Sequence, residues 1–178
     1  AAFQKISLAS EARAGVLTHP YLLSAFSYSL TSSPIHRGVF LSRSLLGRTL
    51  RPPPEAIAPL APQLRPDLTT RDRVALQTAA ESCQSCHSLI NPLGFTLEHY
   101  DAVGRFRNEE RGNPISSQGT YRTRLGETVE FGGARDLANF LADSSEVHEA
   151  FVQQLFHFTV KQPIRAYGPK TRDQLRQS

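Results

Sequence analysis

Six of the chain's 12 prolines crowd into the stretch RPPPEAIAPLAPQLRP, Arg51 to Pro66. Each proline removes a backbone donor and clashes with the turn before it, so neither a helix nor an inner strand can run through the stretch. The expected conformation is an extended, polyproline-like strap that joins two separately patterned parts. The chain therefore divides into an N-terminal lobe over residues 1–50, the strap over 51–68 and a larger part over 69–178.

In the first part, Ala1 to Ser10 carries no pattern. Apolar clusters follow at Val16, Leu17, Tyr21, Leu22, Leu23 and Phe26, then at Val39, Phe40, Leu41, Leu45 and Leu46. The second cluster has helical spacing and stops at Gly47, a suitable residue for a helix C-terminus. Between them SLTSSPIHRG reads as a polar, turn-rich connector. In the larger part, Thr69 or Thr70 caps one helix over RDRVALQTAAESCQSCH, and Pro92 and Gly94 break the chain after it. LEHYDAVGRFR reads as a short helix with a glycine stop. PISSQGTYRTRLGETVEF alternates as a small hairpin, and two helices parted near Ser144 and Ser145 close at Pro163. A charged, frayed tail follows from Gly168. The predicted fold is mainly α with one small β-hairpin.

Charge narrows the function classes. The net charge is +4, from 17 arginines and three lysines (Lys5, Lys161, Lys170) against 16 acids. The arginines are scattered, which suits planar contacts with carboxylates rather than a polyanion-binding surface, so nucleic acid is discounted as a partner. No apolar run approaches the roughly 18 residues of a membrane span. No charged-then-apolar leader opens the chain at Ala1, as expected of an exported protein whose signal has been removed or of one piece of a longer product.

The only two cysteines, Cys83 and Cys86, stand three apart with His87 directly after. On a helix these positions share one face. Two thiols so spaced can form thioethers to the two vinyl groups of a haem, with the adjacent imidazole bound to its iron. Zinc would need two more ligands, and the remaining histidines are dispersed. A redox dithiol belongs in an alternating βαβ pattern, which this chain lacks. One covalently attached haem c is therefore expected, held by Cys83 and Cys86 and ligated by His87. Arg105 and Arg107 are the candidates to pair with its propionates.

The stretch ESCQSCHSLINPLGFTLEHYDAVGRFR resembles the cytochrome-c-like segment near the C-terminus of large secreted bacterial proteins of planctomycete type. Its haem motif is followed by Pro92, Leu93, Gly94, Phe95 and then by Tyr100, Asp101, Gly104 and Arg105. Upstream, RAGVLTHPYLL, TSSPIHRGVFLSRSLLG and RPPPE resemble the domain that precedes the haem segment, so the likeness runs from Arg13 to Gln162. Ile90, where the family often has methionine, and HFTVKQPI, where a glycine–arginine pair is expected, depart from it. The resemblance implies a cytochrome-c-like haem domain, an extracytoplasmic (periplasmic or otherwise exported) location and a multidomain parent.

With no methionine in the chain, a His/Met iron is excluded. The expected sixth ligand is His19 from the N-terminal lobe folded over the haem, with His36 as the alternative. His99, His148 and His157 rank lower. The leading expectation is an electron-transfer cytochrome module, rather than an enzyme, serving a redox partner or the other subunits of a larger complex. The alternative is a five-coordinate haem enzyme or sensor that binds peroxide, oxygen or another small ligand, with His36 and Arg37 on its open side. A structural or docking domain is a third class.

Overall fold

The computed structural model describes residues 3–5, 12–51 and 65–177, and the central part of the proline-rich strap lies outside them. Mainly α is correct: seven α-helices and two short hairpins make up the regular structure among the described residues. A 3-10 turn at Gly15–Thr18 leads into α1 (Pro20–Ala25). Helix α2 (Pro34–Phe40) runs on through a π-helical turn at Leu41–Leu45, and Gly47 then turns the chain at φ 61°. The expected connector thus ends early. Pro34 at the first helical position loses no bond the helix needs, and the Ser33 hydroxyl accepts from the His36 N–H.

The single helix expected across the cysteine motif is two. Helix α3 (Thr70–Gln77) starts in a full capping box between Thr69 and Asp72. It stops where the Thr78 hydroxyl donates back to the Val74 carbonyl, and Ala80 is extended. Helix α4 (Glu81–Phe95) then carries the motif in its first two turns and continues through Pro92 and Gly94.

Packing explains why those two residues do not end α4. Helices α2 and α4 cross backbone against backbone. A side chain on Gly94 would overlap the Pro34 carbonyl, and one on Gly38 would overlap that of Ile90. Glycine costs about 1 kcal/mol in a helix interior, and here the close contact along the crossing offsets it. Pro92 removes one helical hydrogen bond, yet the turn holding it is packed between α2 and the sheet.

The expected helix over 97–107 is absent. Asp101 takes over that stretch: its carboxylate accepts from the N–H groups of Val103 and Arg105, a turn that competes with helix. A tight hairpin follows, β1 (Glu109–Glu110) with β2 (Asn113–Pro114), closed by Arg111 and Gly112 at positive φ. The expected hairpin is present as β3 (Gly119–Arg122) paired antiparallel with β4 (Thr128–Phe131), Tyr121 opposite Val129.

Helices α5 (Ala134–Asp143) and α6 (Ser145–Val160) part at Ser144 as expected. The tail is not frayed. It forms α7 (Thr171–Gln177), whose Arg172 and Arg176 both reach Glu149 on α6. One core joins lobe and larger part, with Leu23 and Leu41 packed in the same cluster as Leu93, Leu97, Tyr121 and Leu137.

Candidate functional site

Cys83, Cys86 and His87 lie on the first two turns of α4, and all three are half-buried. Both thiols are free. The position matters. The C-terminal half of α4 is locked into the core, with Ile90, Asn91, Leu93, Gly94 and Phe95 buried, while the half that bears the sulfurs reaches the surface. The imidazole is not loose. His87 Nδ1 lies 2.9 Å from Asn91 Oδ1, one turn on. The Asn91 amide donates to the Thr78 hydroxyl at 2.7 Å, and that hydroxyl donates to the Val74 carbonyl at 2.8 Å. The break between α3 and α4 thus supplies the support for His87. Asn91 was missed in the sequence, although the i+4 spacing from His87 is the signal that finds it.

The other histidines are placed elsewhere. His19 is exposed at the N-cap of α1, where its Nδ1 accepts from the Tyr21 N–H. His36 is exposed on α2, its ring 5.1 Å from that of Tyr28. His99 is fixed within the 97–107 turn by the Arg107 carbonyl and by stacking on Phe106. His148 Nε2 lies 3.0 Å from the Ala142 carbonyl, and His157 is exposed on α6. Among the described residues no three of His, Cys, Asp or Glu gather as a metal-binding group. Arg105 is exposed, whereas Arg107 turns inward to Glu110 and Ser32.

Past the C-terminal end of α4 lies a buried charge cluster that sequence reading did not find. Arg37, fully buried, donates to the carbonyls of Leu23, Leu97, Tyr100 and Asp101 and to the Ser27 hydroxyl. It therefore anchors the turn that follows α4 and cannot serve an open distal pocket, as the five-coordinate expectation had it. Burial lowers its pKa to about 10, against the pull of Glu98. Glu98 lies 3.9 Å from it and accepts from the Ser32 hydroxyl at 3.1 Å. Burial pushes the Glu98 carboxyl up to about 7, with Arg37 and Arg107 opposing. Glu110 goes the other way. Burial would raise its carboxyl, but the N–H and hydroxyl of Thr70, with Arg107 and Arg73, hold it below its ordinary range.

Glu98 sets a pH dependence with a definite sign. The folded protein keeps a proton that the unfolded chain releases near 4.5, so its contribution is complete below that pH and is lost as pH rises through about 7. A shift is worth about 1.4 kcal/mol per unit. Urea midpoints of the native chain, compared between pH 5 and 7.5 with those of Glu98→Gln, are expected to fall more steeply in the native chain. Parallel curves would show that Glu98 is not the group.

The class this arrangement defines is a mainly α chain that offers two free thiols and an oriented imidazole on one helix. A family model described as PSCyt3, Protein of unknown function (DUF1588), matches residues 13–110. The chain belongs to this planctomycete family of cytochrome-c-like domains. The match starts at Arg13, as read from the sequence, and stops at Glu110 rather than at Gln162. No curated protein and no solved structure matches the chain.

Proposed function

We propose that the chain is a mono-haem c-type cytochrome module that transfers electrons outside the cytoplasm, as part of a larger exported protein or complex. The observation that carries this reading is the presentation of Cys83, Cys86 and His87 on the accessible end of one helix, with both sulfurs free. The donor set fits haem c: two thiols for the vinyl groups and one neutral nitrogen base for the iron. When bound, the haem supplies one-electron chemistry at the iron. Cys83 and Cys86 would attach it, the imidazole of His87, held in a fixed orientation by Asn91, would ligate the iron, and the exposed Arg105 would be open to a propionate. His19 would be the iron's second protein ligand, with His36 as the alternative.

A second reading has a specific observation in its favour. His19 and His36 are both exposed, and the Nδ1 of His19 is engaged as a helix cap. That favours an iron ligated by His87 alone, in an enzyme or sensor for a small ligand.

One experiment tests both readings. Acid-denatured protein is expected to show the mass of one added haem, and the ferric spectrum is expected to be low-spin. His19→Ala then gives a high-spin component that binds carbon monoxide once reduced, while His36→Ala leaves the spectrum unchanged. The reverse pattern assigns His36. An unmodified protein that is high-spin and binds carbon monoxide puts the second reading ahead, and a chain at its bare sequence mass overturns both.

A further inference from the structure

We infer that Asn91 is the positioning residue of the axial ligand: it fixes the tautomer of His87 and, through it, the potential of the iron. The inference rests on the haem reading above. It follows from a hydrogen-bond chain whose direction is set at one end. The Val74 carbonyl can only accept, so the Thr78 hydroxyl donates to it. The hydroxyl oxygen then accepts, which requires the NH₂ of the Asn91 amide to face it and turns Asn91 Oδ1 toward His87. Oδ1 can only accept, so His87 donates through Nδ1–H. The neutral ring therefore carries its proton on Nδ1 and leaves the Nε2 lone pair free, the state a metal requires.

Two features make this a built arrangement. Asn91 and Thr78 are only 6% and 4% exposed, so water does not compete for their groups. The acceptor comes from the same helix as its donor, and its partner from the end of α3, so the ring orientation is tied to the angle between α3 and α4. An acceptor on Nδ1–H makes the imidazole a stronger electron donor, which favours ferric over ferrous iron.

The test has two parts. In the haem-free chain, nitrogen-15 NMR of neutral His87 is expected to show a protonated Nδ1 and a bare Nε2, and Asn91→Leu is expected to shift the tautomer balance toward Nε2–H. In the haem-loaded chain, the potential is expected to rise in Asn91→Leu, where the acceptor is gone. It is expected to fall in Asn91→Asp, where the acceptor is charged. Thr78→Val, which removes the partner of the amide but leaves the acceptor in place, is expected to shift the potential upward by less than Asn91→Leu. It also serves if Asn91→Leu does not fold. A merely structural role would move the potential in one direction for every variant, or not at all, and either result overturns the inference. A native chain that takes up no haem overturns the cytochrome reading and the potential claim together. The tautomer measurement still decides whether Asn91 orients His87.

Discussion

Replacing Cys83 and Cys86 together by alanine is expected to abolish covalent haem completely while leaving the polypeptide fold nearly intact. Co-expressed with haem-attachment machinery, the native chain should emerge coloured and one haem heavier, and the double variant colourless at its sequence mass. Neither thiol belongs to the buried core cluster. Both lie before the packed half of α4, so the truncation leaves no large cavity, and the haem-free stability should change by less than about 1 kcal/mol. The single variants separate the sulfurs: each should retain one thioether, with an altered spectrum. Far-UV circular dichroism checks the fold and intact mass checks the attachment. Covalent haem on the double variant would show that the attachment lies elsewhere.

Arg37→Met should be the most destabilising single substitution in the N-terminal lobe. Methionine fills much of the same space but takes one charged donor from each of four carbonyls, those of Leu23, Leu97, Tyr100 and Asp101, and removes the guanidinium beside Glu98. At pH 7.5, above the point where Glu98 gives up its proton, removing one partner of a buried charged pair costs about 3–5 kcal/mol, a large fraction of the total stability of a domain this size. Lysine should rescue little, because one ammonium cannot reproduce a planar fork that reaches several carbonyls. Urea unfolding measures the loss, with Arg105→Met as the exposed control, expected within about 0.5 kcal/mol of native. A loss below about 1 kcal/mol in Arg37→Met would show that the cluster does not hold the turn.

Local chemistry was legible in the sequence. The cap at Thr69, the alternation that makes β3 and β4, and the serine boundary between α5 and α6 were each readable from neighbouring residues. So was the shared face of Cys83, Cys86 and His87. What failed depended on partners distant along the chain. Pro92 and Gly94 look like helix breakers until Pro34 and Gly38 are placed against α4. Leu97 to Arg107 looks helical until Asp101 is seen bonding its own loop and Arg37 bonding the carbonyls. Arg37 reads as a candidate for an open pocket because nothing in its neighbourhood along the chain shows that it is fully buried. The roles of His19 and His36 depend on that same long-range geometry, and spacing could not decide between them.

The crossing of α2 and α4 also bears on how the chain tolerates change. It joins positions 60 residues apart, Pro34 to Gly94 and Arg37 to Leu97. The entropy of closing a loop grows only as the logarithm of its length, about 0.6 kcal/mol for each doubling. A change in the number of residues joining the two helices is thus cheap in closure entropy. A one-residue slip in either helix is not cheap. It would turn Gly38 and Gly94 off the contact and bring side chains onto it, while moving Arg37 away from its carbonyls. Selection on this fold should therefore be strict about register at the crossing.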